Sequence, residues 1–544
     1  MVARMPVEQQ VGQLVMPWLL GNYVGFDADG LALARMWVDS LKVGGIIISI
    51  GSPMDVAAKL NFLQRRSKLP LLIASDLESG AAFRFPGATP FPTNMGIGAG
   101  GRAADAELMG RVTGIEGRAV GVHLVFAPVA DINNNPANPI INTRSFGGDP
   151  ATVGQLVAAA IKGTRSTGVL TTAKHFPGHG DTETDSHISL PVIRSDWARL
   201  SAMELVPFKA AIAAGVDVVM SAHIALPAFS GDSVRPATLS GAVLTGMLRD
   251  SLHFRGLVVT DALDMGALVS AYGGGEAAVR AFEAGSDLLL MPANPQEAII
   301  AMVAAIKSKR ITRTRLRTSV LKVMAIKEKL GLFKRRTVSL DSVGVIVGQQ
   351  KFLDSARAIS ARSLVLVRDS NSVFGTIRQG NADLALIGYG DDGSSSLARQ
   401  LTRRAIKATP FRLVPASGPA SYDSARAVLA LAPTAVFSVA VRVSSGSGSI
   451  SMPPALADLI EETSRTKPTV LISFGSPYLL SQTPTPQALL LAWTSNAATE
   501  EAVANAFAGA AITGRLPIDL PPTYRIGDGL ILPTRNRTDA TIRR

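Results

Sequence analysis

Short apolar runs recur through the first part of the chain at spacings that leave room for a helix between each pair. There are eight: VGQLVM from Val11, GGIIIS from Gly44, PLLIAS from Pro70, HLVFAPVAD from His123, VLTTAKH from Val169, VDVVMSAH from Val216, GLVVTDA from Gly256 and SDLLLMP from Ser286. The intervening stretches, such as 151–166 and 197–214, carry apolar residues at the spacing of an amphipathic helix. Runs that are apolar throughout, without alternation, describe strands buried on both faces, as in a parallel sheet covered by helices. Eight β–α units predict an α/β fold of the (β/α)8 TIM-like barrel type in preference to an open doubly wound sheet.

A second βα series begins near Ala358 with RSLVLVRD, ADLALIGYG, TAVFSVAVRV, PTVLISFGSP and QALLLAWTS. These units are too few for another barrel and predict a smaller three-layer α/β sandwich domain. The expected organisation is a barrel over 1–336, a linker over 337–350, the sandwich over 351–532 and a basic tail, frayed, over 533–544.

With 544 residues, 47% hydrophobic and 18% charged, the chain has the apolar material for two cores. Cysteine is absent, which excludes disulfides, thiolate metal sites and a cysteine nucleophile and leaves the compartment open. No apolar run reaches the ~20 residues of a transmembrane helix, and the start MVARMPVEQQVGQLVM lacks the features of a signal peptide. The net charge of +12 is concentrated: 307–336 holds twelve Lys and Arg against one Glu. No stacking aromatics or nucleic-acid fold signature accompany it, so no nucleic-acid partner is expected. The preferred reading is a solvated helix face joining two domains. The alternative is cell-wall association through 307–336, by contact with anionic wall polymers or a membrane surface.

In a (β/α)8 barrel, chemistry sits at the C-terminal ends of the strands. Those ends read Asp76 after LLIAS, Asp131 after FAPVA, Lys174 and His175 after LTTA, His223 after VVMSA and Asp261 after LVVT. Asp261 is the best nucleophile candidate, a carboxylate held rigidly at a buried strand end beneath the pocket. Asp264 reads as a cap of the following turn. The segment KHFPGHGDTETDSHISLP from Lys174 contains His175, His179 and His187, and its Pro177, Gly178 and Gly180 predict a long loop over the barrel mouth. Within it, Asp185 is placed to hydrogen-bond one imidazole nitrogen of His187, leaving the other to carry a proton as acid/base. His179, between two glycines, reads as an anchor of the turn. The histidine spacing matches no standard zinc pattern, and neither GxSxG nor a phosphate loop is present, so no metal or cofactor is expected.

At KHFPGHGDTETDSH the chain resembles the bacterial β-N-acetylglucosaminidase (β-hexosaminidase) branch of glycoside hydrolase family 3. FAPVADINNNPANPIINTRSFGGDP from Phe126, MSAHIALPAF from Met220 and VVTDALDMGAL from Val258 agree in order, and SFGSPYLL and ITGRLPIDLP extend the likeness into the second domain. The resemblance implies a barrel followed by an α/β sandwich, Asp261 as nucleophile, and Asp185 with His187 as acid/base. It places sugar binding on Asp76, Arg144, Lys174 and His175. It also implies a retaining, exo-acting β-N-acetylhexosaminidase whose partner is a carbohydrate with a terminal N-acetylhexosamine, such as a peptidoglycan-derived fragment. An N-acetyl-β-glucosaminide phosphorylase, a broader β-glycosidase and a non-catalytic cell-wall carbohydrate-binding protein are the alternatives. Two departures bear on substrate preference: Asp76-Leu77-Glu78-Ser79-Gly80 stands where the family commonly reads DQEGG, and Ser49-Ile50-Gly51 replaces aromatic and basic residues.

Overall fold

The computed structural model describes residues 2–25, 28–186, 188–231, 234–380, 382–390, 393–441 and 450–535. They fall into two compact units, the first made of Met1–Thr89, Ala106–Asn138 and Val153–Phe352, the second of Pro90–Asp105, Pro139–Thr152 and Leu353–Arg544.

The first unit holds nine short strands: β1 (Val15–Met16), β2 (Trp18–Leu20), β3 (Gly45–Ser49), β4 (Leu72–Ser75), β5 (Leu124–Val125), β6 (Leu170–Phe176), β7 (Val218–Ser221), β8 (Leu257–Val259) and β9 (Leu289–Leu290). Strands β2 to β8 lie side by side in chain order, all parallel. Of the run predicted from Val11, the first two residues close helix Val7–Gly12 and only the last two form β1; β2 follows across Pro17, outside any predicted run. Proline lacks the N–H a ladder needs, but the Pro17 carbonyl still accepts the Ile47 amide at 2.9 Å. Before the break, β1 pairs with β9 in register Val15↔Leu289, and a parallel bridge from Val259 to Leu288 joins β8 to that pair. The eight predicted strands therefore close into a ring. Every residue of β3, β4, β6, β7 and β8 is buried, as the unbroken apolar runs required.

The basic segment does not join two domains. Its helix Arg313–Lys329, capped by Thr312, passes under the N-terminal ends of the strands. Ahead of β9, the buried Asp287 receives Arg315 at 3.4 Å, Lys322 at 3.2 Å and the Ser319 hydroxyl at 2.5 Å, with Arg249 at 2.8 Å. Ahead of β1, the fully buried Lys327 donates to Oε1 of Gln13 at 2.7 Å. Ahead of β7, Lys329 lies 3.8 Å from Asp217. Outside that helix, Arg310 clamps Glu276 and Glu283, and Arg336 donates to the Ser67 carbonyl. About half of the basic run is thus engaged with the barrel rather than free on a solvated face.

Residues 337–350, expected as a linker, are stitched to the first unit. Asn61 exchanges two hydrogen bonds with the backbone of Val338 at 2.8 and 2.9 Å, and the Gly348 amide donates to buried Glu116 at 2.8 Å. Helix Leu340–Ile346 packs on helix Pro53–Arg66 between those two fastenings.

The second unit is built on a six-stranded sheet: β10 (Val365–Asp369), β11 (Asp383–Gly390), β12 (Lys407–Leu413), β13 (Thr434–Ala440), β14 (Thr469–Ser473) and β15 (Ala488–Leu491), in the order β10-β15-β14-β13-β11-β12. Only the β10–β15 pair is antiparallel. One face packs a core around Phe437, Leu471 and Trp493, the other a core around Phe374, Leu386 and Phe507, so the three layers predicted from sequence are present. Strand β12 was not predicted. It is an edge strand, only part-buried, with Pro410 in its middle, which proline tolerates because one side needs no ladder. Met95 and Ala99 of helix Asn94–Gly100 belong to the first of these cores, and the Gly148 amide donates to Pro517. That packing is why two excursions from the barrel sequence cluster with the second unit. Among the described residues, no helix is long and apolar enough to cross a membrane.

Candidate active site

The C-terminal ends of the barrel strands carry a connected set of ionisable groups. Past β5, Asp131 is completely buried. Its carboxylate accepts the amide of His175 at 3.1 Å, the amide of His179 at 2.7 Å and Nδ1 of His175 at 2.6 Å. A carboxylate only accepts, so Nδ1 of His175 carries its proton and Nε2 is the atom left to act elsewhere. Burial alone would raise the Asp131 pKa; the nearby charge and hydrogen bonds of His175 and His179 outweigh it and hold the group ionised.

β6 ends in Lys174, His175 and Phe176, with a register shift in its pairing to β7 between Ala173 and Phe176. The buried Lys174 places Nζ 2.7 Å from Asp76 and 2.8 Å from Glu78. One ammonium between two carboxylates leaves the trio net negative, and Arg84, 3.9 Å from the other oxygen of Asp76, restores the balance. Asp76 keeps about a quarter of its side chain exposed while Lys174 and Glu78 are closed off, so Asp76 is the member of this trio that solvent reaches.

Asp261 follows β8 by two residues. Burial would raise its pKa, but His175, His223, the Ala262 amide and Lys174 together bring it down to about 2. The Ala262 amide donates to Oδ1 at 2.8 Å. The turn is pinned in its own right, because Nε2 of the fully buried His223 lies 2.9 Å from the Ala262 carbonyl. The carboxylate at this strand end is ionised and oriented at any ordinary pH.

The loop after β6 is tied down from inside. Nδ2 of Asn138 donates to the carbonyls of His179 and Gly180, both at 2.9 Å, and lies 3.1 Å from the Thr182 hydroxyl. The buried His179 ring sits between the hydroxyls of Thr182 and Ser186, each at 3.0 Å. Burial, against the opposing pull of Asp131, drops its pKa to about 4, so it is neutral and serves as an anchor. Gly180 lies so near the preceding backbone that a Cβ there would sit 1.6 Å from the Ile132 carbonyl oxygen. Asp185 is buried, and its own carbonyl accepts the amides of Ile188 at 2.9 Å and Ser189 at 3.0 Å. His187 lies outside the described residues.

Of the sequence-predicted residues, Asp76, Lys174, His175 and Asp261 gather around this mouth, with Asp185 on the loop beyond it. Arg144 ends the single turn Asn142–Arg144, where Nη1 donates to the Ile140 carbonyl and its own carbonyl accepts from Asn94; it clusters with the second unit. Sequence reasoning gave no role to Glu78, Arg84, Asn138 or Thr238. Glu78 had a signal, an acidic residue two places after a strand-end aspartate. Arg84, Asn138 and Thr238 had none, since each reaches its partner across sequence gaps that periodicity does not report. Among the described residues, no group of three or more His, Asp or Glu side chains is arranged to hold a metal ion.

Several curated relatives share 35% identity with the chain. A β-N-acetylglucosaminidase/β-glucosidase of Cellulomonas fimi aligns over 62% of this chain and 62% of its own length. The β-hexosaminidase A of Pseudoalteromonas piscicida aligns over 55% and 53%, and a β-hexosaminidase of Stenotrophomonas maltophilia over 48% and 79%. The match thus spans less than two thirds of the first two relatives. The solved structure of a glycoside hydrolase family 3 β-N-acetylglucosaminidase from a Paenibacillus species superposes with a TM-score of 0.86 at 32% identity, covering 95% of this chain and 99% of that one. A β-glucoside phosphorylase superposes with a TM-score of 0.85 at 27% identity, covering 95% of each. Residues 6–326, more than half of the chain, match the glycosyl hydrolase family 3 N-terminal domain. The chain belongs to glycosyl hydrolase family 3.

Proposed function

We propose that the protein is a retaining, exo-acting β-N-acetylhexosaminidase that releases terminal N-acetylglucosamine from glycans, with peptidoglycan-derived fragments as the substrate class. The names of the relatives support the sugar. The observation that carries the chemistry is Asp261, a carboxylate at the mouth of the barrel kept ionised by His175, His223, Lys174 and the Ala262 amide. A nucleophile must be unprotonated and aimed before substrate arrives, and this arrangement supplies both.

In this reading Asp261 attacks the anomeric carbon while His187, oriented by Asp185, protonates the leaving oxygen. A covalent glycosyl-enzyme forms. Neutral His187 then removes a proton from water, which displaces Asp261 with net retention of configuration. Asp76, Lys174, His175 and Arg144 hold the sugar hydroxyls. The ion trio of Lys174, Asp76 and Glu78 favours polyhydroxyl recognition, because each sugar hydroxyl both donates and accepts. Cell-wall association through 307–336 would rest on those cations that the barrel leaves unused.

The test is hydrolysis of an aryl N-acetyl-β-glucosaminide against the aryl β-glucoside, with product configuration followed by NMR. Preferred cleavage of the acetamido substrate with β-anomer released first is expected; inversion, or no cleavage of either, overturns the proposal. Similarity to a β-glucoside phosphorylase supports a second reading, in which phosphate replaces water as acceptor. Repeating the assay in phosphate and looking for a sugar 1-phosphate separates the two.

A further inference from the structure

The imidazole of His223 is fully buried at the end of β7 and takes no part in the reaction proposed above. Its two nitrogens have partners of different kinds. Nε2 lies 2.9 Å from the Ala262 carbonyl, which only accepts, so Nε2 carries a proton. Nδ1 lies 2.8 Å from the Thr238 hydroxyl, which is itself 3.0 Å from the Ala222 carbonyl and 2.9 Å from the Ser221 hydroxyl. Thr238 has one proton to give. When it goes to the Ala222 carbonyl, Nδ1 must donate as well and His223 is an imidazolium; when it turns to Nδ1, His223 is neutral. In both states the bond from Nε2 to Ala262 is kept. That peptide leads directly into Asp261, whose Oδ1 accepts the amide of the same Ala262 at 2.8 Å.

We propose that His223 is a positioning residue for the reaction: by gripping the Ala262 carbonyl through Nε2–H, it fixes the turn whose amide aims the Asp261 carboxylate. The inference rests on Asp261 acting as the nucleophile. The rotor of Thr238 and Ser221 behind the ring lets His223 take or release a proton without loosening that grip. The titratable groups bearing on Asp261 are His175, His223 and Lys174, while His179 of the loop is neutral, so His223 is one of several that oppose its protonation. Its separate role is geometric: the Ala262 carbonyl also accepts the Met265 amide, but at 3.3 Å, and His223 supplies the shorter bond, from outside the turn.

The experiment compares His223→Ala, His223→Gln and Thr238→Val in the full chain, using an activated aryl N-acetyl-β-glucosaminide so that kcat/KM reports the attack of Asp261. Folding is checked by circular dichroism and thermal melting. Glutamine places an amide N–H near the position of Nε2 but carries no charge. His223→Ala is expected to lower kcat/KM by about 10- to 100-fold and to move the acid limb of its pH profile up towards about pH 4, the ordinary carboxylate range. His223→Gln should recover most of the rate at neutral pH while keeping the raised acid limb. Thr238→Val, which leaves the ring in place without its Nδ1 partner, should show a smaller loss of the same sign. An unmoved acid limb in folded His223→Ala, or a His223→Gln no faster than His223→Ala, overturns the proposal. Should His223→Ala not fold, an unmoved acid limb in His223→Gln overturns the proposal. Asp261→Ala is measured alongside: if it retains turnover, the nucleophile assignment has failed, whatever the His223 variants do.

Discussion

The buried carboxylate of Asp131 grips His175 twice, at the backbone amide and at Nδ1. The second bond, 2.6 Å long, fixes which ring nitrogen is left for other partners. Asp131→Asn keeps the shape but presents an N–H group where an acceptor is needed, so His175 must change tautomer or turn. We expect a loss of about 10- to 100-fold in kcat/KM and of about 1–3 kcal/mol in stability. Steady-state kinetics and urea melts check both; unchanged kinetics would remove His175 from the site.

His187→Ala should slow substrates with poor leaving groups far more than activated aryl glycosides, because only the former need a proton on the departing oxygen. The measurement is kcat/KM across a series of aryl leaving groups. Equal losses along the series would count against the acid/base role.

Lys327 is buried beneath the barrel, donating to the neutral amide of Gln13, and burial lowers its pKa from 10.5 to about 7. Charging it there is costly. Lys327→Met should stabilise the protein at neutral pH by about 1–2 kcal/mol, the gain offset in part by the lost bond to Gln13. The unfolded chain keeps this proton up to about pH 10.5 and the folded chain only to about 7, so the wild type gains stability as pH rises between them. The advantage of Met is therefore full below pH 7 and fades as pH climbs towards 10.5, which denaturant melts at several pH values would reveal.

His123 accepts the Ile73 amide at Nδ1, 3.1 Å away, and burial, then Arg118 and Lys327, lower its pKa to about 3. Between pH 6.5 and 3 the unfolded chain holds a proton that the folded chain refuses, so stability falls as pH drops through that window. His179 adds the same sign between 6.5 and about 4. His123→Asn, which keeps an acceptor for Ile73, should flatten the fall in melting temperature over this range. An unchanged slope would mean that other groups govern acid lability.

Gly180→Ala would drive a methyl group into the Ile132 carbonyl, 1.6 Å from its ideal position. The loop must shift, at a cost of about 1–3 kcal/mol and with a loss of activity of at least about 10-fold. Gly344→Ala, where a Cβ meets nothing within 4 Å, is the control and should leave activity unchanged.

Much of this was legible in the chain, because a strand buried on both faces writes an unbroken apolar run and the residue that ends it stands out. Asp76, Asp131, Lys174, His223 and Asp261 were all located that way. What escaped depends on contacts that no local period records. Strand β12 is an edge, half-exposed and interrupted by Pro410, so it carried neither an unbroken run nor clean alternation. Lys327 was counted as part of a solvated basic face, yet it lies on the stripe of Leu316, Val320 and Val323, which are all buried. That spacing was the signal, outweighed by the charge around it. The pull of Met95 and Ala99 into a core built mostly from residues beyond 353 could not be read from either segment alone.

That last feature limits how the molecule can be taken apart. Cutting the polypeptide after Phe352 would not yield two self-sufficient pieces. The leading fragment would display Met95 and Ala99 with nothing to cover them, and the trailing one would have holes where they belong. Neither half of this chain is a portable module, because residues 90–105 and 139–152, ahead of the cut, belong to the compact unit that the trailing piece would otherwise form.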